Sequence, residues 1–327
     1  MKKIRLGQLG IGHNHGEEKM KSYRRFPELY ELVGVAEPDE VWLNKRKHLK
    51  GYEGLPFMSE EELLSKCDAV LVETRVKDLV PAAMRCIKAG KHIHMDKPAG
   101  ETLDDYEEML MLAKEKGLVV QLGYMYRNNE AVKYALDMVR SGKLGEIYNM
   151  DVHMSTCHPY DFRADLTQYK GATMYIFGCH LIDLVYTIMG KPNSITPILQ
   201  KTGQDGLDLY DNCLALMHYD KGTSVIRTSS VEVNGWGRRQ IVICGSEGTI
   251  EIKPIENPRI ITYATKANHK PWNDVKEIVE LPPVTPGRYD DMAKDFALFI
   301  HGEKENPYSY EYELELHRMV LQACNLI

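Results

Sequence analysis

No Cys-x-x-Cys pair occurs in this 327-residue chain. Its seven cysteines (67, 86, 157, 179, 213, 244 and 324) are odd in number and scattered singly. They suggest neither a disulfide framework nor a zinc site, and read as small buried thiols in a reducing compartment. A long basic run is missing too. Lys and Arg number 41 against 47 Asp and Glu, a formal charge of −6, and Arg238-Arg239 is an isolated pair, so nothing offers an electrostatic footprint for nucleic acid. Met1-Lys2-Lys3-Ile4 leads within a few residues into a glycine loop, which leaves no room for a cleaved apolar signal. The expectation is a cytoplasmic protein with no membrane partner. Internal repeats and low-complexity tracts are likewise absent.

What the chain has is 43% hydrophobic residue against 27% charged, enough to bury real cores, and a length that suggests about two domains. Up to about residue 125, short apolar runs alternate with amphipathic stretches. Strands are predicted at Ile4 to Leu9, Glu31 to Ala36, Ala69 to Glu73, His92 to Met95 and Leu118 to Leu122. Helices are predicted at Glu17 to Phe26, Leu79 to Ala89 and Thr102 to Lys116, and a capping box of Ser59 with Glu62 opens another. Such alternation implies parallel βαβ units, so residues 1–125 should form a doubly wound, Rossmann-type dinucleotide-binding domain of α/β class. After a helix from Glu130 to Ser141 the character changes. Ile147 to Thr156 alternates, and paired runs flank Asp220-Lys221-Gly222 and Gly245-Ser246-Glu247-Gly248. Residues 126–327 should therefore form an α+β substrate-binding and oligomerisation domain on a largely antiparallel open sheet. Its helices are expected at about Met174 to Met189, Asp290 to His301 and Tyr310 to Asn325.

The first strand runs into Gly10-Ile11-Gly12-His13-Asn14-His15-Gly16 and then a helix, the setting a dinucleotide fingerprint needs. Gly10 permits the tight turn, Gly12 lets the backbone approach a pyrophosphate, and the helix N-terminus offers N–H donors and positive potential. The third glycine falls one position late, at Gly16, which predicts slightly looser helix packing. Glu37 ends the second strand 25 residues after Gly12, where a carboxylate accepts from both ribose hydroxyls and repels a 2′-phosphate. NAD is thus favoured over NADP. Lys45 and Arg46 read as solvated helix charges. His13 and His15 have no carboxylate or cysteine near in sequence to complete a metal site, and read as loop histidines beside a phosphate with no metal.

Lys97 lies between Asp96 and Pro98 at the end of the His92 to Met95 run. Pro98 has no N–H to continue a ladder, which puts the lysine at the rim of the sheet, where open α/β sheets bind ligands. With the glycine loop, Glu37 and the run Ala89-Gly90-Lys91-His92-Ile93-His94-Met95-Asp96-Lys97-Pro98, the chain resembles the Gfo/Idh/MocA family of nicotinamide-dependent oxidoreductases. The resemblance extends through Gln121 to Arg127, the stretch Gly178-Cys179-His180-Leu181-Ile182-Asp183 and the Gly245 to Ile252 hairpin. It implies a pyrophosphate on Gly10, Ile11, Gly12, His13, Asn14 and His15, an adenosine ribose on Glu37, and Thr74 near the cofactor. It further implies Asp96 and Lys97 by the nicotinamide, and Tyr124 and Arg127 lining the substrate cleft. His180 matches the family histidine that faces the substrate hydroxyl, with Asp183 three residues on along the same helical face as its orienter.

The chain also departs from the family pattern. Ile176 stands four residues before His180, where many dehydrogenases of the family carry Asp, and at i,i+4 spacing that loss makes the imidazole less basic. Arg75-Val76 replaces a usual Pro-Asn, and Leu79 stands where a histidine is common. The expected reaction is hydride transfer between nicotinamide C4 and a hydroxyl-bearing carbon of a sugar, polyol or related compound. Lys97 would polarise the reacting oxygen and His180 would exchange its proton. Tyr124, Arg127, His158, Tyr160 and Arg163 would contact substrate, the last three from a polar loop. The alternatives are a redox-neutral lyase, epimerase or glycosidase using transient oxidation, and a dinucleotide-binding sensor without turnover. One face of the antiparallel sheet would be left apolar in a monomer, so a homodimer or homotetramer is expected.

Overall fold

In the computed structural model, which describes residues 2–256, 258, 260–273, 276–281 and 287–327, the early alternation becomes a five-stranded parallel sheet. Its elements in chain order are β1 (Ile4–Leu9), α1 (Gly16–Tyr23), β2 (Tyr30–Ala36), α2 (Glu40–Arg46), α3 (Glu60–Lys66), β3 (Ala69–Val72), α4 (Leu79–Lys88), β4 (His92–Met95), α5 (Asp104–Glu115) and β5 (Val120–Leu122). The strand order is β2-β1-β3-β4-β5, with every pair parallel. The order reverses at β1, so the glycine loop that follows it opens at the switch point where such sheets bind ligands. All four residues of β3 are buried, as a strand covered on both faces requires. Ser59 caps α3 by accepting the Glu62 N–H at 3.2 Å.

The second sheet has eight strands. The elements continue as α6 (Glu130–Arg140), β6 (Ile147–Ser155), α7 (Tyr160–Leu166), α8 (Cys179–Met189), β7 (Ser194–Gln200), β8 (Asn212–Tyr219), β9 (Gly222–Ser229), β10 (Gln240–Gly245), β11 (Gly248–Ile252), β12 (Ile260–Thr265) and β13 (Glu277–Glu280). In the order β13-β12-β11-β10-β6-β9-β8-β7, the inner pair β6 and β9 is parallel and the other pairs are antiparallel. Burial alternates along β8 from Asn212 to Met217, with Cys213, Ala215 and Met217 buried and Leu214 and Leu216 half-exposed. The half-exposed face is mixed rather than apolar: Val225 and Val242 share it with Asp151, Arg227 and Glu251.

Two helices close the chain, α9 (Asp290–Ile300) and α10 (Tyr310–Ala323). The sequence pattern assigned both to the domain beginning at residue 126, but the compact units are Met1–Met125 with Pro286–His317, and Tyr126–Thr285 with Arg318–Ile327. The reason lies in the apolar stripe of α9. Ala293, Phe296 and Ala297 join Ile4, Leu6, Met20, Tyr23 and Leu71 in one core, and the Tyr30 hydroxyl donates to the Ala293 carbonyl at 2.5 Å. A periodic pattern shows that a helix has an apolar face without showing which core the face covers.

Two local features also differ from expectation. The helix expected from Met174 to Met189 opens with a π-helical stretch, Met174–Gly178, before α8 begins. The polar loop expected at His158 to Arg163 folds into α7 from Tyr160 onward. Among the described residues, no helix is long and apolar enough to cross a membrane.

Candidate functional site

Gly10 takes φ +86°, and a Cβ added there would lie 2.5 Å from the Thr74 backbone nitrogen. A glycine is therefore required twice over, by conformation and by the close approach of the chain after β3. Gly16, placed one position late by the usual spacing, is tightly packed: a Cβ there would meet the Tyr52 hydroxyl at 3.1 Å and Glu73 Cβ at 3.2 Å. The looser packing expected from that offset is not seen, because Gly16 is itself the first residue of α1. Backbone left bare by glycine at the mouth of a helix fits a dinucleotide pyrophosphate, and this cradle is what a side chain would fill.

Glu37 faces the same loop. Its Oε2 accepts the Ile11 N–H at 2.7 Å and its Oε1 accepts the Asp39 N–H at 2.9 Å, which leaves further lone pairs for a ligand hydroxyl. Burial pushes its carboxyl up despite these bonds. Arg46 corrects the sequence reading. Rather than a solvated charge, its guanidinium donates to the Ile11 carbonyl at 3.1 Å, the His13 carbonyl at 2.6 Å and Asn14 Oδ1 at 2.7 Å, pinning the loop from α2. Thr74 is buried, with its hydroxyl donating to the Arg75 carbonyl.

Beneath the loop is a closed group of charges. Asp96 directly follows β4, fully buried, and its Oδ2 lies 3.0 Å from His15 Nδ1, 3.3 Å from His13 Nδ1 and 2.6 Å from Lys19 Nζ. Its Oδ1 accepts the Lys97 N–H at 2.7 Å. Lys19 also donates to Glu73 Oε1 at 2.8 Å. Burial alone would raise Asp96, but His13, Lys19 and His15 hold it well below the usual carboxylate range. Burial pushes Glu73 up to about 8 against the pull of Lys19, and it lowers both histidines.

The carboxylate that His13 and His15 lacked in sequence is thus supplied by Asp96, with donor atoms of all three within 4.8 Å of one another. The positive charge beside that carboxylate is the Lys19 ammonium. A basic hollow lined by Lys21, Arg24, Arg25, Lys50 and Glu53 includes none of the predicted site residues.

The second unit holds the other predicted residues. Arg127 and Asp183 are both buried, and the guanidinium Nε and Nη2 reach the Asp183 oxygens at 2.7 to 3.1 Å, a fork-like charge-assisted pairing. Both oxygens of Asp183, predicted to orient His180, accept from Arg127. His180 is buried with the Tyr126 ring edge-on at 5.2 Å, and the Tyr126 hydroxyl donates to Glu256, which also pairs with Arg239. The π-turn puts Ile176 and His180 on either side of a helix-type junction, so the i,i+4 geometry assumed from sequence does not describe them.

His158 stacks on Phe162 at 4.2 Å and on Phe177 at 5.3 Å. Burial, with Arg239 and Arg163 adding, pushes its imidazole down to about 4. Arg163 is buried, donating to the His158 carbonyl and pairing with Asp205, whereas Tyr160 is 53% exposed. Tyr124 is buried in the first unit.

Sequence reasoning missed Lys19, Glu73, Arg46, Tyr126, Glu256 and Arg239. One signal was present for Lys19: of the five buried residues of α1, Gly16, Lys19, Met20 and Tyr23 follow an i, i+3, i+4, i+7 pattern with the lysine inside it, and Ser22 is the fifth.

Residues 4–124 match the oxidoreductase family with an NAD-binding Rossmann fold, and residues 132–251 match the GFO/IDH/MocA C-terminal domain. An uncharacterized oxidoreductase of Escherichia coli (strain K12), YhhX, is 30% identical over 198 residues, 56% of this chain and 55% of its own length. The scyllo-inositol 2-dehydrogenase (NADP(+)) IolW of Bacillus subtilis (strain 168) is 26% identical over 163 residues, 48% of this chain and 44% of its own. The chain thus spans about half the length of these curated relatives. A levoglucosan dehydrogenase solved in complex with NADH and levoglucosan shares the fold, with a TM-score of 0.83 over 100% of this chain and 98% of its own at 17% identity.

Proposed function

The chain belongs to the GFO/IDH/MocA oxidoreductase family, and from that premise we propose that it transfers a hydride between NAD and a hydroxyl-bearing carbon of a sugar, polyol or related compound. One observation carries the reading: Asp96-Lys97 directly follows the parallel strand β4, at the same rim as the glycine loop after β1, and is tied to that loop by the 3.0 Å contact of His15 with Asp96. Relatives named for inositol and levoglucosan support a polyhydroxylated ligand. Gly10 to His15, Glu37 and Thr74 are the residues that would hold the dinucleotide, which when bound supplies the hydride acceptor or donor. Lys97 would donate a hydrogen bond to the reacting oxygen and stabilise charge developing on it, while His180 takes or returns the proton. Tyr124, Arg127, His158, Tyr160 and Arg163 are the proposed substrate contacts.

Glu37 supports NAD over NADP, and the ratio of kcat/KM for the two cofactors tests that preference. The free state of all seven cysteines supports a reducing, cytoplasmic setting. A homo-oligomer through the half-exposed sheet face, where Leu214, Leu216, Val225 and Val242 lie among Asp151, Arg227 and Glu251, is checked by light scattering at micromolar concentration.

The reaction is tested by incubating the protein with NAD and a panel of sugars, polyols and sugar acids. NADH accumulating with one class of compound supports dehydrogenation. Product without net NADH replaces it with the redox-neutral cycle, and NADH binding without turnover across the panel leaves only a sensor. Lys97→Ala should lower turnover by about a hundredfold or more while NADH affinity stays nearly unchanged. Retained activity would remove Lys97 from the mechanism.

A further inference from the structure

Lysine is among the side chains least often buried, and a cation in the first turn of a helix opposes the helix dipole. Lys19 does both: it is 0% exposed, in the opening turn of α1 just after the glycine loop. Filling that space does not require a charge, and apolar replacement of a buried ion group is often neutral or stabilising. The lysine therefore answers to its partners. It bridges the chain ends after β3 and β4 through Glu73 and Asp96, with the Tyr289 ring 5.7 Å from its ammonium. Gly123 is bare beside it, where a Cβ would come within 2.9 Å of Nζ. Asp96 divides its two oxygens between the backbone of Lys97 on one side and Lys19 with His15 on the other.

We propose that Lys19 is a positioning residue: by holding the Asp96 carboxylate in one orientation it fixes the backbone of Lys97 and the His15 end of the glycine loop with respect to each other. Its effect on turnover rests on the hydride-transfer reading above, whereas its effect on the Lys97 backbone does not. The positioning is needed because displacement of a reacting group by about 1 Å can cost a hundredfold in rate.

The test uses Lys19→Met in the full chain. Amide hydrogen exchange at Lys97 should rise about tenfold or more, while exchange in α5 stays at the wild-type rate. With the substrate identified by the panel, kcat should fall about a hundredfold and KM change by less than about threefold, a split that a general loss of stability would not produce. Lys97 exchange at the wild-type rate overturns the proposal whatever the wild type turns over, and so does a rise shared equally by α5. Raised exchange confined to Lys97 in a protein that turns over nothing keeps the positioning role and removes the hydride-transfer reading. Should Lys19→Met fail to fold, Lys19→Met with Asp96→Asn removes the stranded charge and keeps an oxygen for the Lys97 N–H. Faster Lys97 exchange in the double variant supports the proposal, and exchange as slow as in the wild type overturns it.

Discussion

The two units bury their charges differently. In the first, side chains from α1 and from the chain ends after β3 and β4 converge on one hub of Lys19, Glu73 and Asp96, with His13 and His15 against it. In the second, each buried arginine has its own carboxylate: Arg127 with Asp183, Arg163 with Asp205, Arg239 with Glu256. Topology accounts for the contrast. Parallel strands β1, β3 and β4 lie side by side and end at the same rim, so residues that follow them are neighbours by construction. An antiparallel sheet scatters its strand ends over two edges, and polar residues brought inside must be matched pair by pair. A hub keeps some of its contacts when one member is lost. A pair loses its ionic contact whole.

The largest effect should come from removing the carboxylate of such a pair. Asp183→Leu removes the carboxylate that the buried Arg127 guanidinium reaches through both Nε and Nη2, and should cost about 3 kcal/mol in urea unfolding. Adding Arg127→Met should restore most of that loss; a single-variant cost below about 1 kcal/mol would place the two units on the same footing. Next comes a pair of glycines, one from each unit. Gly10→Ala forces φ +86° on an L-residue and drives its Cβ into the Thr74 backbone, so about 2 kcal/mol and NADH binding should be lost. Gly142→Ala meets the same positive φ, at +73°, with nothing within 4 Å, and should cost only about 1 kcal/mol with NADH binding intact. Fluorescence titration with NADH separates the two.

The smallest effect concerns His158. Its imidazole titrates near 4 in the fold against 6.5 ordinarily, so between those values the unfolded chain holds more protons than the folded one. Stability is therefore lost as pH falls from 6.5 toward 4. His158→Phe keeps the ring stack with Phe162 and Phe177 and should make the decline shallower, read from urea midpoints at neutral pH and near pH 4.5.

What was legible in the sequence was what local physics determines. The five strands of the first sheet, the Ser59 cap and the glycine loop each follow from a few adjacent residues. The end of β4 just before Asp96-Lys97 was legible as well, through the proline that follows them. Arg46 was not, because a basic residue in the last turn of a helix is ordinary in solution and nothing nearby marks it as bound to a loop 33 and 35 residues earlier. The pairing of Asp183 with Arg127 was not legible either, because helical spacing points only to neighbours on its own helix, while Arg127 comes from a turn 56 residues away. The π-turn before α8 escaped notice since an apolar run such as Met174 to Gly178 fits a four-residue and a five-residue repeat equally well.

The return of α9 to the first unit has a consequence in time. Ala293, Phe296 and Ala297 belong to the core that β1 begins, yet the ribosome reaches them only after the entire eight-stranded sheet has been synthesised. Roughly 170 residues separate β5 from α9, on the order of ten seconds or more of elongation. During that interval the nascent N-terminal sheet carries an apolar face with its cover still unmade. The portion of the protein that emerges first is completed among the last, and a transcript truncated before Asp290 would yield a dinucleotide fold that never closes.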